Sequence, residues 1–187
     1  EVHSIPATEC LWAALKPRMA FVVRHPCAVA ASWARMDFRV DGSIERLLSQ
    51  PSLVQAHLAA HAAHMRSRED LHFRVGALWG ALHRIALDSA RGHEDWAWAR
   101  HEDLCADPVA AFRALAARLG LRVGAAGERF LREHDRDPAE GEHAYVPARP
   151  SAGQPGKWRR ELSAPEAQSV LDGAEPFGVL EEFYPDA

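Results

Sequence analysis

The hydrophobic pattern of the first third of the chain alternates between short apolar runs and amphipathic stretches. An apolar run over 19–23 predicts a strand, and the helical spacing on either side of it predicts helices over 7–15 and 26–36. On the second helix, Val29, Trp33 and Met36 share one face, which we expect to be buried. Because a strand followed by a crossover helix returns to the same sheet, the pattern favours an α/β chain with a parallel sheet.

The pattern of the rest of the chain predicts mostly helices. We predict helices over 43–48, 52–66 and 69–90, and a strand where Trp96 and Trp98 alternate with smaller residues. The residues of the 69–90 helix expected to face the core are Leu71, Val75, Leu78, Leu82 and Ile85.

Two capping signals mark the last helices. Asp107 followed by Pro108 predicts a helix start, and a second helix is expected from Ser163. The expected buried stripe of the first of these helices is Val109, Phe112, Leu115 and Leu119. Between them, residues 135–156 are rich in proline, glycine and charge, which is typical of a loop.

Composition limits the classes of function that need to be considered. With 187 residues, of which 48% are hydrophobic and 26% charged, the chain fits a single domain over 1–187. A net charge of −4 argues against a broad surface for nucleic acid or for an anionic membrane, so an anion site would have to be local. Three widely spaced cysteines and the lack of a long apolar run favour a reducing, cytoplasmic setting.

The stretch FVVRHPCAVAASW points to such a local anion site. Arg24 ends an apolar strand, where a guanidinium is costly unless an anion meets it, and Ser32 follows on the next helix. The start of that helix would add backbone N–H groups and a positive dipole end. A carboxylate partner for Arg24, with Ser32 serving only as a small packing residue, is the alternative.

Three segments in this order resemble one family. FVVRHPCAVAASW, RHEDLCADPVAAFRALAARLGL and SAGQPGKWRREL are similar to segments of sulfotransferases that use 3'-phosphoadenosine 5'-phosphosulfate (PAPS). The resemblance implies a P-loop nucleoside-kinase-like three-layer αβα fold with a central parallel sheet. It also implies transfer of a sulfuryl group from PAPS to a hydroxyl or amine of a small molecule, carbohydrate or natural product, with the desulfated nucleotide (PAP) as product and no metal.

The resemblance also assigns the residues of the site. His3 is implied as the catalytic base, with Glu1 as the second choice, because some relatives use a glutamate there. Arg24 and Ser32 are implied to hold the 3'-phosphate, and His101 to contact the adenine. The glycine-rich loop over the phosphate is implied to comprise Gly153, Gly156, Lys157, Trp158 and Arg159.

The sequence departs from the family pattern in two places. Ser151 and Ala152 stand where cytosolic sulfotransferases carry Arg-Lys, so other basic residues must supply that charge. The loop that binds the 5'-phosphosulfate has no counterpart in these residues, so we expect the C-terminal portion of a longer enzyme, a chain complemented by an N-terminal segment, or a degenerate relative. A homodimer is a further possibility for the assembly.

Other functions compete with this interpretation. A P-loop phosphotransferase would need a magnesium-binding carboxylate and a phosphate loop, whereas a non-catalytic nucleotide- or partner-binding module would need neither. His57, His61 and His64 lie at helical spacings of four and three, which could place them as metal ligands, but we favour a polar wall of an acceptor cleft.

Overall fold

The computed structural model describes residues 2–37, 40, 42–136 and 150–186, and for residues 2–4 only the backbone. Helices predominate, and the described strands are β1 and β2. The α-helices and strands are α1 (Thr8–Leu15), β1 (Ala20–Val23), α2 (Pro26–Arg35), α3 (Ser43–Leu48), α4 (Pro51–Leu53), α5 (Ala62–Met65), α6 (Leu71–Ser89), β2 (Ala97–Arg100), α7 (His101–Ala106), α8 (Pro108–Arg118), α9 (Ala125–His134), α10 (Ala164–Ala174) and α11 (Val179–Phe183). Three 3-10 helices, Val2–Ala7, Lys157–Arg160 and Glu175–Phe177, and a π-helix, Val54–Leu58, complete the set.

The two described strands form a parallel sheet, which confirms that part of the predicted α/β pattern. Ala20 pairs with Ala97 and Val23 with Arg100, so the two strands end side by side. The residues that follow them, Arg24 and His101, therefore leave the sheet at the same edge.

The chain divides into two compact units. The sheet unit comprises Arg18–Arg24 and Asp95–Lys157, and the helical unit comprises Glu1–Pro17, His25–Glu94 and Trp158–Ala187.

The sheet unit is held by aromatic stacking on the strands and by polar contacts between its helices. Phe21 of β1 stacks on Trp98 of β2 with ring centroids 4.5 Å apart. Arg113 of α8 forms an ion pair with Glu128 of α9, and the Asp107 carboxylate accepts a hydrogen bond from the Ala110 N–H at 3.0 Å. Asp107 therefore caps α8, as the sequence predicts.

The core of the helical unit is the crossing of α6 and α10. A Cβ added to Gly76 of α6 would collide with the Val170 carbonyl of α10, and one added to Gly173 of α10 would collide with the Phe73 carbonyl of α6. The two backbones approach this closely because both crossing positions are glycine. Ser163 and Glu166 form a capping box that starts α10, which confirms the predicted helix start.

The buried faces of two helices differ from the predicted ones. α2 buries its small face, including Cys27, Ala28, Ala30 and Ala31, whereas Met36 just beyond it is 63% exposed. α8 has no buried residue, and Phe112 of its predicted stripe is 38% exposed. Amphipathic spacing identified both helices, but it did not identify which face packs closely.

The segment predicted as one helix over 52–66 is interrupted. α4 passes into the π-helix Val54–Leu58, and α5 begins only at Ala62.

In α6, which matches its prediction, Val75, Leu78, Leu82 and Ile85 are buried, whereas Leu71 at its first turn is 41% exposed. Among the described residues no helix is both long and apolar enough to cross a membrane.

A buried histidine in α6 makes the stability of the helical unit depend on pH. Burial lowers the pKa of His83 to about 4, and its Nδ1 lies 2.7 Å from the Trp79 carbonyl oxygen. In the unfolded chain this residue takes up a proton as the pH falls through its ordinary pKa of 6.5. In the folded chain it stays neutral until the pH approaches 4.

We therefore expect the free energy of unfolding to be highest above pH 6.5 and to fall as the pH drops toward 4. The loss assigned to His83 is about 3 kcal/mol, at about 1.36 kcal/mol per pKa unit. Urea unfolding at pH 7 and pH 4.5 should show a smaller fall for His83→Phe, which does not titrate. Equal falls in the wild type and the variant would contradict this assignment.

Candidate functional site

A cavity of about 380 Å³ opens at the edge of the sheet unit where β1 and β2 end. We call it the Arg24 cavity, because Arg24 lines it directly after β1 and His101 lines it directly after β2. Ser151 and Gln154, from the start of the predicted glycine-rich segment, line it as well. The structure thus brings parts of all three sequence motifs to one cavity.

The environment of the cavity favours the neutral form of His101. Burial lowers the pKa of His101, and the neighbouring Arg24 guanidinium lowers that pKa further. His101 also lies 3.6 Å from the Cys105 thiol, whose own pKa is raised by burial and by Glu102. A neutral imidazole can donate one hydrogen bond and accept another.

Aromatic rings form another part of the cavity wall. Phe112 of α8 and Phe130 of α9 line the cavity and keep part of their surface exposed. Phe130 stacks on His134 with ring centroids 3.9 Å apart, and the His134 Nδ1 lies 2.7 Å from the Phe130 carbonyl oxygen. Exposed rings of this kind offer flat apolar surface on which a base can stack.

The glycine-rich segment is tied to the cavity by its first residue. The Ser151 N–H donates a hydrogen bond to the Asp135 carboxylate at 2.7 Å, and Asp135 itself lines the cavity. A Cβ added to Gly153 would meet nothing within 4 Å, so that position is open. Gly153, Gly156 and Lys157 belong to the sheet unit, and residues 137–149 lie outside the described residues.

Trp158 and Arg159 belong to the helical unit and are fixed there by aromatic contacts. Trp158 stacks on His25 at 4.9 Å with the ring planes 7° apart, and the Arg159 guanidinium lies over the Trp158 ring at 4.5 Å. The His25 Nδ1 accepts a hydrogen bond from the Cys27 N–H, so the same imidazole also caps α2. Sequence reasoning missed His25, although its place directly before Pro26 is a capping signal.

Ser32 is half-buried in α2 within the helical unit. Cys27 and Cys105 are buried, and burial raises the pKa of the Cys27 thiol to about 12, whereas Cys10 is exposed. Neither the Cys27 nor the Cys105 pKa is lowered, which argues against a reactive thiolate at either position.

The two candidate bases are not placed in detail. Glu1 and the His3 side chain lie outside the described residues. The backbone of Val2–Ala7 forms a 3-10 helix, whereas the family resemblance implies a strand that ends at His3.

The three histidines at helical spacing have separate partners within the helical unit. The His57 Nδ1 lies 3.2 Å from the Asp88 carboxylate, His61 stacks on Phe177 at 4.5 Å, and the His64 Nε2 lies 3.1 Å from the Gly173 carbonyl oxygen. Across the described ranges no group of three or more His, Cys, Asp or Glu side chains is placed to hold a metal ion.

Comparison with protein-family models, with curated proteins and with solved structures gives no match to this chain. The function assigned to the Arg24 cavity therefore depends on the chemistry of its residues and on the motifs that supply them.

Proposed function

We propose that the protein is a PAPS-dependent sulfotransferase and that the Arg24 cavity binds the nucleotide part of the donor. One observation carries the proposal: Arg24, His101 and the start of the glycine-rich segment line the same cavity. The proposal includes a nucleoside-kinase-like three-layer fold, of which the parallel pair β1–β2 would be part.

The chemistry of the cavity matches the parts of an adenine nucleotide. The Arg24 guanidinium offers a planar pair of donors to a phosphate, and the neutral His101 and the two phenylalanine rings suit a purine. The cavity volume of about 380 Å³ falls within the usual range for small-molecule sites. The negative charge of Asp135 repels phosphate. Its carboxylate can accept hydrogen bonds from N–H groups, and it already accepts one from the Ser151 backbone N–H.

The proposed reaction moves one group between two oxygens. An acceptor oxygen attacks the sulfur in line, the new S–O bond forms, and the S–O bond to the 5'-phosphate breaks, which leaves PAP. The proton of the acceptor hydroxyl passes to the base, for which His3 is proposed first and Glu1 second.

Replacement of Arg24 tests the nucleotide site. We expect wild-type protein to bind PAP more tightly than AMP, because only PAP carries the 3'-phosphate, and Arg24→Ala to weaken PAP binding about 30-fold, or roughly 2 kcal/mol for a lost charged hydrogen bond. Calorimetry measures both ligands. AMP binding should change little in the variant.

Arg100→Ala is the matched control for that experiment. Arg100 ends β2 opposite Val23 and pairs with Asp103 at 2.7 Å, but it does not line the cavity. An equal preference for PAP in wild type and Arg24→Ala, with the fold intact, would overturn the assignment of the 3'-phosphate. PAP binding without transfer of labelled sulfate from PAPS to any acceptor would instead favour the non-catalytic nucleotide-binding module.

A further inference from the structure

The helical unit contains a second and larger cavity. Its volume is about 560 Å³, and it lies within that unit, so it is separate from the Arg24 cavity of the sheet unit. We call it the Trp33 cavity. This volume is large enough for a bicyclic or similarly sized organic molecule.

The walls of the Trp33 cavity are mostly apolar. Leu78 and Leu82 of α6 line it and are buried, and Trp33 and Met36 line it from α2 and the residue after it. Met36 is 63% exposed, so its apolar surface faces open space. Covering such surface with an apolar ligand is favourable by about 25 cal/mol per Å² removed from water.

The polar residues that line the cavity, Ser43, Arg46 and Gln50, come from α3 and the residues just after it. Arg46 of α3 is the one formally charged side chain among the described residues that line it. Gln50 lines it four residues later, and its side-chain amide donates to the Arg46 carbonyl at 3.3 Å. These two residues place one guanidinium and one amide at the rim of an apolar pocket.

We propose that the Trp33 cavity binds a small aromatic or aliphatic molecule that carries a single carboxylate. The apolar part packs against Trp33, Met36 and the leucines, and the carboxylate meets the Arg46 guanidinium. One planar guanidinium matches one planar carboxylate in charge and geometry. The site does not depend on the proposed sulfotransferase activity.

A pair of probes that differ only in charge tests the ligand class. Calorimetry compares naphthalene-2-carboxylate with its neutral carboxamide, which has nearly the same size and shape. We expect the carboxylate to bind wild-type protein about tenfold more tightly than the carboxamide, which corresponds to about 1.4 kcal/mol. Arg46→Gln should bind both probes equally, because it removes the charge and keeps an amide.

A second variant locates the ligand. Gln50→Trp adds an indole at an exposed position that lines the cavity, so it should narrow the cavity and weaken binding of both probes without disturbing the core. The controls are Arg91→Gln and Gln55→Trp, which make the same changes at exposed positions that do not line the cavity. Failure of wild type to bind either probe, a retained preference in Arg46→Gln, or unchanged binding in Gln50→Trp would each overturn the proposal.

Discussion

Gly76→Ala should lower the free energy of unfolding of the helical unit by about 3 kcal/mol, the upper part of the range for overpacking a core. Alanine is the better helix former by up to about 1 kcal/mol, but that gain is outweighed by contact with backbone. The new methyl group would meet the Val170 carbonyl and lie 3.2 Å from the Ala174 nitrogen. Backbone atoms cannot rotate away, so α6 and α10 must separate and lose contact along their length.

Urea unfolding measures this effect, with Gly127→Ala as the matched control. Gly127 is also helical, but a Cβ there would meet only the Val123 Cγ1 at 3.1 Å, and that side chain can turn aside. The control should therefore be neutral or slightly stabilising. Gly173→Ala, on α10, should lower the free energy of unfolding in the same way. If Gly76→Ala proved as stable as the control, the close crossing of α6 and α10 would be wrong.

His3→Ala should reduce sulfuryl transfer by about a hundredfold to ten-thousandfold, if His3 is the base of the proposed reaction. PAP affinity should be nearly unchanged, because removal of the acceptor proton contributes to the transition state and not to donor binding. Turnover with labelled PAPS and calorimetry with PAP separate the two effects.

The pH dependence of turnover distinguishes the two candidate bases. The rate falls on the acidic side when the base becomes protonated, so only replacement of the true base removes that fall. His3→Gln and Glu1→Gln are compared, and His72→Ala, a half-buried histidine of α6, serves as control. Full turnover in both variants would place the base elsewhere in the protein.

Local signals in the sequence predicted the elements that depend on local interactions. The helix over 43–48 has the same bounds in the structure, and α8 and α10 begin at the predicted caps Asp107 and Ser163. The strand before Arg24 was also predicted, because a short apolar run bounded by a charged residue has few other structures open to it.

Elements that depend on packing were predicted less well. Spacing alone placed Trp33 and Met36 in the core, yet α2 packs through alanines and Cys27, because small side chains allow close approach. Likewise, the break between α4 and α5 contains His57, which contacts Asp88, and His61, which stacks on Phe177. Those partners are distant in sequence and leave no local signal.

The residues of the candidate site also divide into those with a signal in the sequence and those that only packing brings to the site. Arg24 was identified because it directly follows a predicted strand and His101 through the family resemblance, and both line the cavity. Cys105, Phe112 and Phe130 were missed as site residues, since they come from α7, α8 and α9. Only the packing of those helices brings them to the edge of the sheet.

The order in which the ribosome delivers this chain constrains how the helical unit can form. Its central helix α6 is complete by Ser89, but its partner α10 starts at Ala164, more than seventy residues later. During that interval the surface of α6 around Gly76 and Gly80 lacks the later residues that pack against it in the folded protein. The nascent chain must therefore stay soluble while α6 presents apolar surface. Slow synthesis of the intervening segment would therefore lengthen the period in which chaperones are needed and in which nascent chains can aggregate.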